Sequence, residues 1–395
     1  MSLYAKGDVR FLLYLIWGYV LVRLGEKTLR TSSSVWRLFT TFAFMDQNDR
    51  KDIRTLTREQ LRAFFAEKGW GAYRGGQVHR WLWQKGATDF AQMTDLPASV
   101  REALGQEFYI RRIAAVTSQV SEDGTVKNAI RLDDGAVVES VLIPSEDRTT
   151  VCVSCQSGCR MGCAFCATAR MGGVRDLSAG EIYDQVTLAE AQSRERFGRG
   201  LSNIVFMGMG EPTANYAEVS RAIGLITSEE GLGMAGHRIT VSTAGNARMI
   251  RQMADQGAKF HLAISLHWAV QQQRETIMPV AKAFPLAELA EAAAYWYART
   301  RDRVTYEYIV WDGLNDTRED AEALVRFCRR APSKVNLIEY NAIGDARFRA
   351  AKPQSMQMYQ QVLEQAGITV VVRYSKGRDI DAACGQLAGR EKAKE

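Results

Sequence analysis

Apolar positions along this chain fall into three regimes. From Thr57 to about Arg112 they recur every three or four residues, the spacing of amphipathic helices. Thr57-Arg-Glu-Gln60 has the layout of a capping box, so a helix is predicted from there through Lys68. Gln77 to Trp83 continues a second helix, and Pro97 precedes a third over Ala98 to Phe108. From 113 to 145 the period drops to two. Ile113 to Val120, Lys127 to Leu132 and Ala136 to Ile143 read as strands, joined by turns at Glu122-Asp-Gly124 and Asp133-Asp-Gly135.

Beyond residue 146, short apolar runs alternate with longer helical segments. The runs are Thr150–Val153, Asn203–Met207, Arg238–Ser242, Phe260–Leu266, Val304–Val310 and Val335–Tyr340, with a last one at Thr369–Tyr374. Helical patterns between them include Ser178–Phe197, Asn246–Gly257, Asp316–Arg330 and Gln354–Gly367. Short buried strands separated by helices imply βαβ units, a parallel sheet and right-handed crossovers. The expected fold class is therefore α/β: a partial, open (βα)6 barrel, preceded by a small N-terminal helical domain and a short β-rich connector. The layout is an uncertain extension at 1–44, a helical accessory domain at 45–112 that could contact RNA, the connector at 113–145, the core at 146–389 and a charged tail at 390–395. In such a core, chemistry gathers where the strands end.

Composition adds boundaries rather than identity. With 46% apolar and 24% charged residues over 395, the chain is an ordinary globular protein. A net charge of +6 permits a nucleic-acid partner without requiring one. Trp81 and Trp83 among Arg74, Arg80 and Lys85 could face RNA, although tryptophan at helical spacing is more often core. Phe11 to Val22 is an apolar run behind Lys6 and Arg10, outlining a signal peptide. It is shorter than the roughly 20 residues a membrane span needs, and no small-residue cleavage site follows. Met45 opens a stretch that looks like an ordinary start, so translation from Met45 is expected, and no membrane association.

The cysteines change the picture. Of seven, Cys152, Cys155, Cys159, Cys163 and Cys166 crowd together, while Cys328 and Cys384 stand apart. Disulfide frameworks spread their cysteines through short secreted chains; a crowd in a long chain points to metal or redox chemistry in a reducing cytoplasm. Cys159-Arg-Met-Gly-Cys163-Ala-Phe-Cys166 follows the first core strand. Three thiolates can hold three irons of a cubane and leave the fourth iron open, which a substrate-binding metal centre needs. A structural zinc site is the alternative, but this spacing is not the paired C-x2-C layout and lacks an obvious fourth ligand. Polar groups end the neighbouring strands: Gly208-Met-Gly210-Glu211-Pro212, Ser242-Thr-Ala-Gly245, Ser265-Leu-His267 and Asn341. A carboxylate such as Glu211 can accept from an ammonium. His267 reads equally as a packing group or a cofactor contact.

C-x3-C-x2-C with Phe165 before its last cysteine resembles the radical S-adenosylmethionine (SAM) superfamily. Asp379-Ile-Asp-Ala-Ala-Cys-Gly-Gln-Leu387, with Cys152 seven residues before Cys159, is similar to the RlmN family of bacterial methyltransferases. The likeness runs from about residue 57 to 389. It implies a radical SAM barrel with a [4Fe–4S] cluster on Cys159, Cys163 and Cys166. SAM contacts would come from Gly210, Glu211, Ser242, Ser265, Leu266, His267 and Asn341. It implies methylation of adenine C2 in 23S rRNA and in tRNA beside the anticodon, using two SAM per turnover. The products are S-adenosylhomocysteine, 5′-deoxyadenosine and methionine. Cys384 would carry the methyl group as S-methylcysteine and Cys152 would resolve the RNA adduct through a transient disulfide. Glu139 matches a proton acceptor, with Cys152 the other candidate for that proton. The resemblance also implies a flavodoxin or ferredoxin electron donor and a cytoplasmic monomer. Cys155 stands where the family has serine, so it is either a bystander or a competing resolving thiol. The sister Cfr-type enzymes, which methylate C8, share these cysteines; Pro212 after Gly210-Glu211 follows the C2 pattern. A non-catalytic iron–sulfur or zinc protein that binds RNA is the rival of another class.

Overall fold

The computed structural model describes residues 50–171 and 175–389. The expected extension at 1–44 and the tail at 390–395 lie outside the described residues. Helices α1 (Arg58–Glu67), α2 (Tyr73–Trp83) and α3 (Ala98–Glu107) form the accessory layer, closed by a parallel pair of two-residue strands, β1 (Lys51–Asp52) and β2 (Phe108–Tyr109). The capping box forms: the Thr57 hydroxyl accepts from Gln60 N–H, and the Gln60 side chain accepts from Thr57 N–H. Helix α2 starts before the expected Gln77 because Gly75 sits against the α1 backbone. A Cβ there would come within 2.6 Å of Arg62 N. Trp83 is buried, as the core reading expected, whereas Trp81 is half-buried, bonds Asp95 and carries the Lys85 ammonium 3.7 Å over its ring.

The connector strands are β3 (Ala114–Val120), β4 (Val126–Arg131) and β5 (Val137–Pro144), close to the ranges read from their alternation. They do not stand apart. β5 pairs antiparallel with β6 (Thr149–Cys152), so all three continue the core sheet. A two-strand flap, β7 (Gln156–Ser157) with β8 (Arg175–Asp176), follows. The parallel series is β6 with β9 (Asn203–Phe206), β10 (Ile239–Thr243), β11 (His261–Ser265), β12 (Val304–Ile309), β13 (Ser333–Ile338) and β14 (Thr369–Arg373). The ten-stranded sheet runs β14-β13-β12-β11-β10-β9-β6-β5-β4-β3 and is open at both ends. Between the parallel strands lie α4 (Ala179–Phe197), α5 (Tyr216–Thr227), α6 (Ala247–Asp255), α7 (Gln271–Ile277), α8 (Leu286–Thr300), α9 (Arg318–Cys328) and α10 (Pro353–Gln365). The sequence ranges anticipated α4, α6, α9 and α10.

Register decides what faces what. Side chains two apart on a strand, and those abreast on neighbouring strands, share a face. Lys127 lies across from Val141 and Glu139 is two residues before it; Val141 lies across from Cys152. Cys152 is abreast of Val205, which is abreast of Thr240, two before Ser242. Ser242 stands beside Ala263, and Ser265, two further on, begins the row Ser265, Glu307, Asn336, Val371. Lys127, Glu139, Cys152, Ser242, Ser265, Glu307, Asn336 and Arg373 therefore share one face. The other face presents Val151, Ile204, Val241, Leu262, Ile264, Tyr306, Tyr308, Val335 and Leu337 to the buried core. Among the described residues, no helix is long and apolar enough to cross a membrane.

One buried carboxylate joins the accessory layer to α4. Asp184 accepts two hydrogen bonds from the Arg54 guanidinium at 2.7 and 2.8 Å and one from Arg112 at 2.7 Å. Arg54 also lies 4.5 Å over the Trp83 ring. Removing the carboxylate leaves two largely desolvated cations facing each other, a situation that costs about 3–5 kcal/mol. Asp184→Ala should therefore lower stability by an amount in that range in denaturant titration, while Arg194→Ala, which breaks an exposed pair with Glu190, should cost about 1 kcal/mol or less.

Candidate active site

The cysteine loop hangs on an aromatic anchor. Phe165 is buried, its ring edge-on to His267 at 4.8 Å and tilted against Trp311 at 5.3 Å. The turn closes where Cys166 N–H donates to the Cys163 carbonyl at 3.2 Å, and Ala164 N–H donates to Ile277 O. Burial pushes the Cys159 thiol up to about 11, with Glu211 and Cys166 adding to the shift. Cys163 is pushed further, by burial and then by Cys166, Cys159 and Glu211, while Arg274 opposes the shift. The three thiols thus crowd one another electrostatically, with one cation beside them.

That cation was not evident from the sequence. Arg274 on α7 is fully buried and faces no carboxylate in a hydrogen bond. Its Nε donates to Leu266 O at 3.0 Å and its Nη2 to Ala244 O at 2.7 Å and Ser265 O at 3.2 Å. Its Nη1 is buried with no hydrogen-bond partner. Burial lowers its pKa to about 10.

The Gly210-Glu211 turn docks on residues 154–156. Cys155 N–H and Gln156 N–H donate to Met209 O, and Glu211 N–H donates to Gln156 Oε1 at 2.8 Å. Gly210 has φ +105, and a Cβ there would meet Gln156 N at 2.8 Å and the Cys155 sulfur at 2.9 Å, so glycine is required twice over. The Glu211 carboxylate is pre-set: Oε1 accepts from Thr213 N–H and Oγ1, and Oε2 accepts from Ala244 N–H at 2.8 Å. Its charge bears on Cys155, Cys159 and Cys163, which brings it to the cysteine loop.

The other expected cofactor contacts separate. Ser242 and Ser265 share the polar face. Leu266 is wholly inside the core, its N–H bonded to Glu307 O and its carbonyl to Arg274 and Trp268 N–H, which leaves it little to offer a ligand. His267 is buried with its backbone in the left-handed region (φ 56). Its Nδ1 accepts from Ile309 N–H, and burial followed by the Arg274 charge lowers its pKa to about 3, so the ring is neutral. Its contact with Phe165 supports the packing reading. Asn341 donates to Ser375 Oγ at 2.8 Å and to Cys384 O at 3.4 Å, holding the chain around the last cysteine.

Cys384 lies in a loop after β14 and meets the cysteine loop directly. Ala167 N–H donates to Gly385 O at 2.7 Å, and Thr168 Oγ1 donates to Leu387 O at 2.7 Å. Cys384 as a residue is exposed. Enclosure by protein raises its pKa to about 11; Glu307 and Cys166 add to this, and Arg373 opposes it. Cys152 is buried at the end of β6, its thiol raised by burial and then by Cys384. Cys155 answers differently: Glu211, Cys159 and Asp176 bear on it, and its sulfur packs under Gly210. It belongs to the cysteine-loop side, apart from the Cys152–Cys384 pair. All seven cysteines are free thiols here, so the disulfide expected from the resemblance is not formed in this state. Glu307 and Asn336 (2.8 Å apart), Lys127 and Arg373 were also missed by sequence reading. Polar residues inside apolar strands were the available signal.

The Radical SAM superfamily model matches residues 153–328, and the model for the ribosomal RNA large subunit methyltransferase N-terminal domain matches 51–110. A protein of Flavobacterium psychrophilum named "Probable dual-specificity RNA methyltransferase RlmN" is 56% identical over 345 residues, covering 87% of this chain and 99% of that one. This chain belongs to the RlmN family. A second member, "Dual-specificity RNA methyltransferase RlmN" of an Anaeromyxobacter species, is 43% identical over 86% of this chain and 91% of its own. The crystal structure of a radical SAM methyltransferase from Sphaerobacter thermophilus superposes with a TM-score of 0.81 at 40% identity, covering 86% of this chain and all of that one. The chain is thus a radical SAM RNA methyltransferase, and its cofactors are a [4Fe–4S] cluster and SAM.

The residues fit those groups. Three thiols within electrostatic reach of one another suit bound cationic metal, and the buried Arg274 Nη1, without a hydrogen-bond partner, suits an anionic cluster–thiolate assembly beside Cys163.

A pKa near 11 for Cys384 has a measurable consequence. In the cofactor-free protein its thiol stays protonated through neutral pH, so iodoacetamide alkylation of the Cys384 peptide should keep rising between pH 9 and about 11. Mass spectrometry of the peptide reads this; a plateau already reached by pH 9 would contradict the shift.

Proposed function

We propose that this enzyme methylates C2 of one adenine in 23S rRNA, and of the adenosine beside the anticodon in tRNA, carrying the methyl group on Cys384. C2 of adenine lies between two ring nitrogens and is electron-poor, so it does not attack a sulfonium methyl. When bound at Cys159, Cys163 and Cys166, the cluster and its SAM supply the one-electron chemistry that activates a C–H bond, with a flavodoxin or ferredoxin as electron source. Gly210, Glu211, Ser242 and Ser265 orient SAM beside them.

The chain's own residues do the rest. Cys384 gives up its proton and its thiolate attacks the methyl carbon of a SAM molecule, releasing S-adenosylhomocysteine. After one hydrogen atom has been removed from that methyl, its carbon bonds C2 and joins Cys384 to the RNA. Once the C2 proton has passed to a protein base and the unpaired electron to a one-electron acceptor, a role the oxidised cluster would fill, the Cys152 thiolate attacks the Cys384 sulfur. A disulfide forms and the freed carbon takes up a proton to become the methyl group. An adenine C2 edge inside a stacked helix is inaccessible, so the target base is unpaired or flipped into the cleft.

The observation that carries this reading is the bond from Ala167 N–H to Gly385 O. It ties the loop of the three cysteines to the loop of Cys384, while Cys152 lies within electrostatic reach of Cys384. Such an enzyme works on RNA in the cytoplasm. Among arginines that could meet RNA phosphates, Arg175 is already paired with Asp134 and Glu181, Arg194 with Glu190, and Arg199 with backbone carbonyls of Ser145 and Glu146. Arg170, half-exposed and paired with Asp345, is the one nearest the two loops.

Expression in a host lacking the activity, followed by nuclease digestion and mass spectrometry, should reveal 2-methyladenosine in 23S rRNA and tRNA. Finding 8-methyladenosine instead would move the chain to the C8 chemistry. Cys384→Ala should abolish the product completely, and retained product would refute a methyl carried on that sulfur. Cys152→Ala should leave a protein–RNA adduct on a denaturing gel; RNA released at the wild-type rate would mean another group resolves it.

A further inference from the structure

The loop that carries Cys384 is gripped at both ends by one buried ion pair. Lys127 on β4 and Glu139 on β5 project from the polar face of the sheet, with side chains 6% and 2% exposed. Lys127 Nζ lies 3.5 Å from Glu139 Oε1 and donates to the carbonyl of Asp381 at 3.4 Å, three residues before Cys384. Glu139 Oε2 accepts from Ala388 N–H at 2.7 Å and Gly389 N–H at 3.0 Å, four and five residues after it. At that end the chain runs close to the sheet: a Cβ on Gly389 would lie 2.7 Å from the Val137 carbonyl oxygen.

A carboxylate in this setting is poorly placed to accept a proton from RNA. One oxygen already holds two backbone N–H groups and the other faces an ammonium. Both oxygens are thus occupied by partners within the protein. The same arrangement suits a mechanical task. A loop without secondary structure loses conformational freedom when ordered, and fixed partners at both ends hold it against that tendency.

We propose that Lys127 and Glu139 form a clasp that sets the position of Cys384, and that Glu139 is a positioning residue rather than the acceptor of the substrate proton. This rests on the reading of Cys384 as the methyl carrier. Cys152, next to Cys384, is then the group left to handle the C2 proton.

Glu139→Gln and Glu139→Ala in the anaerobically isolated holoenzyme separate the two roles. Glutamine keeps an oxygen for the two N–H groups but cannot serve as a base; alanine keeps neither. Three readouts are needed: hydrogen exchange of the peptide spanning 380–389, methylation of the Cys384 peptide by mass, and RNA product together with adduct. The clasp predicts that Glu139→Ala speeds exchange in 380–389 by about tenfold or more and loses Cys384 methylation. It predicts that Glu139→Gln, which keeps the oxygen for the two N–H groups but loses the charge opposite Lys127, speeds exchange less than Glu139→Ala and still yields methylated Cys384 and RNA product without accumulating adduct.

Full Cys384 methylation with accumulating RNA adduct in Glu139→Gln would overturn the proposal and make Glu139 the base. Wild-type behaviour of Glu139→Ala would overturn it as well. If both variants lose methylation, faster exchange confined to 380–389 upholds the clasp and unchanged exchange refutes it. If the wild-type enzyme methylates no RNA, the functional reading fails by itself, and the exchange measurement still judges the clasp.

Discussion

Cys384 belongs to no helix or strand, yet in the proposed reaction its sulfur meets groups more than two hundred residues earlier in the chain. What makes this possible is the seating of the segment after β14 on the end of the sheet. Asp379 takes hydrogen bonds from Ser121 Oγ and Glu122 N–H in the turn between β3 and β4. Gly377 N–H donates to Asp123 in the same turn. Further along, the segment is bonded through Gly385 and Leu387 to the residues just after Cys166. The β3–β5 hairpins are thus the platform on which the reactive loop rests. Without them the open sheet would still gather the cysteine loop and the Gly210-Glu211 turn, but the segment carrying the second sulfur would keep only its bonds to Asn341, Ala167 and Thr168.

The polar face of the sheet explains the electrostatic character of the site. Burial makes thiolates expensive, and Cys152, Cys163 and Cys384 are all raised well above an ordinary thiol. In the proposed mechanism, a carrier thiol so raised is reactive toward a strong electrophile held against it, which a sulfonium methyl is. The same environment keeps His267 neutral and leaves Arg274 as the cation beside the cysteine loop. Glu307, buried on this face and held by Asn336, is itself shifted upward by burial. The charges around Cys384 are therefore few and individually significant.

Much of this was legible before any coordinates. The alternation in 113–143 marked three strands to within a residue or two, because Asp-Gly turns bound them, although β3 turns no fully buried residue to the core and β4 is buried on both faces. The C-x3-C-x2-C spacing marked the cysteine loop, since few chemistries need three thiols so arranged. What could not be read was register. Lys127 looks like any exposed strand lysine until pairing with β5 places it beside Glu139. Arg274 looks like a surface helix residue until α7 is folded against the ends of β10 and β11. Cys155 stayed ambiguous because its three-residue offset from Cys152 says nothing about which sulfur lies near Cys384. Helices α5 and α8 were passed over for a simpler reason: their apolar and small residues blend into the strands and turns beside them.

The most direct test of the account is the metal content of anaerobically isolated protein and its single-cysteine variants. The account predicts about four iron and four sulfide per chain. That content should survive Cys152→Ser, Cys155→Ser and Cys384→Ser, and be lost when Cys159, Cys163 or Cys166 is replaced. About one zinc per chain, or iron that persists without Cys163 but not without Cys155, would contradict it.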